Sequence, residues 1–182
     1  MVKFYYYGDC KSKSPLIIDD KKKLWLKRMI VGEGGKNCSV RKANALIVAI
    51  INRWFLWKGS RKYPTFISMM RAFSQPINPR WMTGGDLARK YIGRIAASKQ
   101  RLARRAQICA MTKFPRSIND IVDSTMDVGT VNCYDQRISN WASLKSTPKK
   151  YPWGIDIDGD WFFEDKNLID GVVCCTNSQP ST

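Results

Sequence analysis

Met29-Ile-Val-Gly-Glu-Gly-Gly-Lys-Asn37 separates two helical runs and places one carboxylate, Glu33, among three glycines. Glycine releases the backbone from a helix. The spacing therefore predicts a first helix over about residues 21–31 that ends across residues 32–35. Trp25/Met29 and Leu26/Ile30 are i,i+4 pairs and give it a core face. Asp19 and Asp20 before it suit an N-cap and the positive end of the helix dipole. Glu33 then projects from the last turn or just beyond. On the other side, Ser39 is the expected N-cap of a second helix over about residues 40–57. Its middle, Ala45-Leu-Ile-Val-Ala-Ile-Ile51, is apolar all round, so other elements must surround it.

Outward from this pair the pattern stays helical. Thr65 caps a third helix over residues 66–73, and the two prolines of Ser74-Gln75-Pro76-Ile77-Asn78-Pro79-Arg80-Trp81 force a stiff polar loop. A long amphipathic pattern over about residues 86–111 carries Arg89, Lys90, Arg94, Lys99, Arg101, Arg104 and Arg105 off its apolar stripe, and Gly93 may bend or split it. Ser117-Ile-Asn-Asp120 has capping-box spacing and predicts a further helix to about residue 128. Residues 145–150 read as a polar, basic loop. Residues 153–165 alternate as strands, with Asp158-Gly159 as a hairpin turn. Residues 1–18 read as an extended arm or short strand, and the tail from Thr176 as flexible. The expectation is one mainly α (α+β) domain over residues 1–182 with a small β element near its C-terminal end.

Composition narrows the chemistry. The chain has 182 residues, enough for one sizeable core, and a formal net charge of +16 that attracts polyanions. It has no histidine, which removes Ser-His-Asp and Cys-His catalysis and His-ligated zinc. Proton transfer near neutral pH falls to a carboxylate, cysteine, lysine or tyrosine. None of the six cysteines forms a C-x-x-C pair, so no zinc ribbon is expected. No apolar run approaches a membrane span, and the N-terminal residues carry no signal-peptide pattern. The Asp156-Ile-Asp-Gly-Asp160 segment lacks the full calcium-loop ligand series and reads as a solvated hairpin. No metal or cofactor is expected.

Four short motifs follow one another in order: Gly32-Glu-Gly-Gly35, Ala45-Leu-Ile-Val-Ala-Ile-Ile-Asn-Arg53, Tyr63-Pro-Thr65 and Ala72-Phe-Ser-Gln75. Together they resemble the SleB-type cell-wall hydrolase family, spore-cortex lytic enzymes with bacteriophage relatives. The Ser74–Trp81 loop is similar to phage members in particular. The likeness covers residues 21–82 well and the remainder faintly. It departs from the family where Gly-Glu-Ala-Arg-Gly-Glu becomes Gly-Glu-Gly-Gly-Lys-Asn, so the second acid is missing. The resemblance implies a lysozyme-like helical domain that cleaves the MurNAc-GlcNAc β-1,4 bond of peptidoglycan. It implies Glu33 as general acid, with one Glu acting first as acid and then as base, as in lytic transglycosylases.

The residues suit that chemistry on their own terms. A carboxylic acid donates a proton near neutral pH when apolar surroundings raise its pKa. The flanking glycines would let a sugar chain approach, and Trp54, Trp57, Phe73 and Trp81 offer apolar walls or, equally, core. Ser74, Gln75, Asn52, Tyr63, Asn78 and Trp81 are the candidate substrate-binding residues, with turn, cap and core roles as their alternatives. A hydrolase would need a second carboxylate, which only Asp86 or Asp120 could supply through the fold. The expected partners are bacterial peptidoglycan and, through the basic surface, anionic wall polymers or membrane. No specific nucleic acid is expected. A phage endolysin would wait in the host cytoplasm before release to the wall, whereas a virion-associated lysin would act during entry. The competing reading is a basic nucleic-acid-binding or virion structural protein without catalysis, based on the charge and the Arg-rich helix.

Overall fold

The computed structural model describes residues 2–4, 16–57, 63–79, 96–128, 138–143 and 147–164. It is mainly helical, with a small antiparallel sheet near the C-terminal end. Helix α1 (Asp20–Gly34) is the hub and touches each of the longer helices: α2 (Val40–Trp57), α3 (Phe66–Phe73), α4 (Ala96–Ala110) and α5 (Arg116–Val128). A single 3-10 turn, Gln75–Ile77, links α3 to the chain beyond and also packs on α1.

Local chemistry sets the helix starts. The Asp19 carboxylate accepts the Lys22 N–H at 2.8 Å and pairs with the Lys22 ammonium at 2.5 Å. The Lys22 hydrogen bond holds the Asp19 carboxyl below its ordinary value. Ser39 Oγ accepts the Lys42 N–H at 3.0 Å and caps α2. Thr65 and Ser68 form a reciprocal capping box at α3. The α2 segment from Ala45 to Arg53 is buried throughout, surrounded as its all-round apolar pattern requires. Leu26, Met29 and Ile30 of α1 and Phe66, Met69 and Met70 of α3 pack into the same core, together with Ile118 and Val122 of α5.

The small sheet has the order β3 (Asn140–Ser143), β5 (Asp160–Phe163), β4 (Ile155–Ile157), all antiparallel. Asp158 and Gly159 both take positive φ, 49° and 83°, in the two-residue turn joining β4 to β5. That is the Asp-Gly hairpin expected from the sequence. β3 and β4 rest on α2, and Ile157, Phe162 and Phe163 bury the inner face.

Several expected boundaries move. Helix α1 runs to Gly34 rather than Val31, and its cap is Gly35 (φ 79°), whose N–H donates to the Val31 carbonyl at 3.0 Å. Helix α5 starts before Ser117, because the Pro115 carbonyl takes the first helical hydrogen bonds from Ile118 and Asn119. The basic loop after residue 144 contains a short helix, α6 (Thr147–Lys150), with Pro148 in its first turn, where a missing N–H costs nothing. The expected N-terminal arm is instead partly a hairpin: β1 (Val2–Phe4) pairs antiparallel with β2 (Leu16–Ile18), and Leu16 and Ile18 are buried. Gly93, the N-terminal part of the expected long basic helix and the tail from Thr176 lie outside the described residues.

Candidate active site

Three elements converge on Glu33. It sits in the last turn of α1, half-buried. Ser74, the C-cap of α3, is fully buried and donates its hydroxyl to Glu33 Oε1 at 2.7 Å. Its own backbone is fixed on both sides, with its N–H donating to the Met70 carbonyl at 3.0 Å and its carbonyl accepting from Ile77 at 3.2 Å. From the sheet, the Trp141 indole N–H on β3 donates to the same carboxylate. Trp141 is steadied by stacking on Phe162, with ring centroids 6.5 Å apart.

The glycines around Glu33 have different jobs from the open cleft edge expected of them. A Cβ at position 32 would meet Pro76 Cβ at 2.5 Å, and one at position 34 would meet Cys38 Sγ at 2.2 Å. Gly32 lets the 3-10 turn close onto α1, and Gly34 lets the start of α2 close in behind it. Only at Gly35 does the space stand open.

Burial is the largest influence on Glu33 and raises its pKa. The Ser74 and Trp141 donors oppose it by favouring the charged form. Asp160 adds a further upward push and Lys42 a downward one. These two are themselves a pair, Lys42 Nζ to Asp160 Oδ2 at 2.8 Å, with side chains 13% and 22% exposed. Arg105 on α4 lies within electrostatic range of Glu33, although burial is the main influence on its own guanidinium. Cys38, against Gly34, is buried and its thiol is pushed up to about 11 by that burial, so it stays an inert thiol.

The candidate residues divide. Ser74 meets Glu33 directly. Gln75 is exposed at the first position of the 3-10 turn, beside that pair. Asn52, Tyr63 and Asn78 are 3%, 8% and 8% exposed, which gives them framework work. Asn52 Nδ2 donates to the Ile138 carbonyl at 2.7 Å, and its neighbour Arg53 donates Nε–H to the Ser139 carbonyl at 2.7 Å. These two bonds tie the approach to β3, and so Trp141, onto α2. Tyr63 packs on Phe73 at 5.3 Å between centroids, and Asn78 Nδ2 donates to the Ala72 carbonyl at 3.1 Å. Trp54 packs edge-on to Phe66 in the core. Trp81, Asp86 and the Trp57 side chain lie outside the described residues. Asp120 is exposed and faces Arg116 at 3.6 Å.

The Asp-rich hairpin is neither a solvated loop nor a metal loop. Asp156 Oδ1 accepts the Gly159 N–H at 3.0 Å, Asp158 is bonded to the Ser39 hydroxyl, and Asp160 to Lys42. Its carboxylates dock the hairpin on the N-terminal end of α2, where negative charge is favoured. Among the described residues no group of three or more His, Cys, Asp or Glu side chains could hold a metal ion. Sequence reasoning missed Trp141, Lys42 and Asp160. The available signal was the tandem of Asn52-Arg53 and Ile138-Ser-Asn-Trp141, whose polar and backbone groups turn out to be partners.

Comparison of the chain with protein-family models, curated proteins and solved structures gives no match.

Proposed function

We propose that the protein is a peptidoglycan-degrading glycosidase that cleaves the MurNAc-GlcNAc β-1,4 bond as a lytic transglycosylase, with Glu33 as its one catalytic acid and base. The observation that carries this reading is the Glu33 carboxyl itself, half-buried, raised in pKa by that burial and aimed by the Ser74 hydroxyl at 2.7 Å. A carboxyl in such a setting keeps its proton closer to neutral pH, as a general acid requires. The ordered resemblance to SleB-type enzymes supports the same assignment.

In the proposed reaction protonated Glu33 gives its proton to the glycosidic oxygen as the bond from the MurNAc C1 breaks. The carboxylate then takes the proton of the same sugar's 6-hydroxyl as that oxygen attacks C1. The product is a 1,6-anhydro sugar, and Glu33 ends protonated. Ser74 and the Trp141 indole favour the charged carboxylate between the two steps. Asp160, the acid that bears on Glu33, is held by Lys42, which suits an electrostatic role better than that of a free nucleophile. The lysozyme-like description is part of this proposal.

Exposed Lys36 and Arg41 flank the loop after Glu33, and exposed Arg101 and Arg104 line α4. They suit an anionic wall. The proposed setting is a phage endolysin or virion-associated lysin. A turbidity assay on purified peptidoglycan tests the activity: wild type should clear the suspension and Glu33→Gln should not. Equal rates for the two proteins would remove Glu33 from the chemistry. DNA binding without any clearing would favour the nucleic-acid-binding reading.

A further inference from the structure

Away from Glu33, α1 and α3 bring two guanidinium groups onto one indole. Arg28 Cζ lies 4.6 Å and Arg71 Cζ 4.5 Å from the centroid of the Trp25 ring. Each arginine spends its Nε–H on a backbone carbonyl: Arg28 on Met111 at 3.1 Å, and Arg71 on Ile77 at 3.2 Å. All three side chains are half-buried, so the cluster is fixed in place yet open to solvent.

The charge balance is one-sided. Among the described residues neither guanidinium forms an ion pair with a carboxylate. The acids of neighbouring α1 and α5 are used elsewhere, with Asp123 taking Lys27 at 3.0 Å. Arg71 acts on Arg28 as a like charge, and burial adds to the cost of keeping Arg28 ionised. An indole face offsets some of this repulsion, but a second cation on the same ring is what an anion site needs and a simple helix contact does not. With Nε anchored, the planar Nη groups remain as forks shaped for oxygen pairs. The thiol of Cys109 sits within electrostatic range of both arginines, and burial keeps it neutral, so it does not supply the missing charge.

We propose that Trp25, Arg28 and Arg71 form an oxyanion-binding site for a carboxylate or phosphate group, separate from the Glu33 carboxyl. About five residues, or about 7.5 Å of helix rise, divide Arg28 from Glu33 along α1. The site does not depend on the glycosidase reading. A chain without lytic activity would still bind the anion.

The test follows the indole N–H signals of the 15N-tryptophan-labelled full chain by NMR, titrating sodium phosphate and then sodium acetate at constant ionic strength. Trp25→Phe identifies the Trp25 signal. The expected result is a saturable shift of that signal in wild type, weakened at least tenfold in Arg71→Gln. Arg71→Lys, which keeps the charge and loses the fork, should also bind more weakly while its other indole signals stay in place, separating lost binding from lost folding. Saturation by phosphate alone assigns a phosphate-bearing ligand, and saturation by both assigns the wider oxyanion class. A Trp25 signal that does not saturate with either salt, or that saturates with unchanged affinity in Arg71→Gln and Arg71→Lys, would overturn the proposal.

Discussion

Glu33→Gln should make the protein more stable above neutral pH and leave its stability nearly unchanged in mild acid. Burial raises the proton affinity of Glu33 in the fold. The native chain therefore keeps a proton that the unfolded chain loses near the ordinary value of 4.5. Stability from protonated Glu33 is complete below that ordinary value and is lost as pH rises through the raised one. Glutamine cannot ionise, so the variant escapes the loss. Burying a polar group without full compensation costs about 1–3 kcal/mol, and the Ser74 and Trp141 donors return part of it. About 1 kcal/mol should remain, or about 2–4 °C in Tm for a chain of this size. The assay is thermal unfolding of both proteins at about pH 4 and about pH 8. Any misfit of the amide against Trp141 is the same at both values, so the pH-dependent part is the signal. A Tm difference that does not change with pH, or that moves toward wild type as pH rises, would refute the argument that burial controls Glu33.

Ser74→Ala removes a hydroxyl that favours charged Glu33, so the alkaline limb of the lytic pH profile should move to higher pH and the rate should fall. A limb moving to lower pH would contradict the hydrogen bond's assigned role. Asn52→Ala strips the buried Ile138 carbonyl of its donor, which should cost about 1–3 kcal/mol in chemical denaturation. A loss of sugar affinity at unchanged stability would return Asn52 to the substrate. Gly32→Ala drives a Cβ into Pro76, and overpacking of about 1–3 kcal/mol should exceed the roughly 1 kcal/mol gained in helix propensity. A Tm at or above wild type would show that the 3-10 turn yields at no cost.

Local chemistry was readable from local residues. The caps at Asp19, Ser39 and Thr65, the all-round apolar run of α2 and the Asp-Gly hairpin each depend on neighbours a few positions apart. Glu33 stood out for the same reason, as an acid at a helix end among glycines. The surroundings of Glu33 were not readable, because they arrive from far along the chain. Ser74 is 41 residues away, and the Asn52–Ile138 and Arg53–Ser139 bonds that seat β3 each span 86 residues. No periodicity announces such pairings. The glycines misled because their value at positions 32 and 34 is a close approach to Pro76 and Cys38, which exists only once the chain is folded. Asn52, Tyr63 and Asn78 fit the chemistry of a sugar site by residue type, and only their burial gives them to the framework.

The central claim is that one carboxylate performs both proton transfers. Mass spectrometry of the fragments released from purified peptidoglycan tests it most directly. The account predicts glycan fragments ending in 1,6-anhydro-MurNAc from wild type and none from Glu33→Gln. Fragments ending in ordinary reducing MurNAc would contradict it, and would make a second carboxylate, with Asp160 as the first to examine, part of a hydrolytic mechanism.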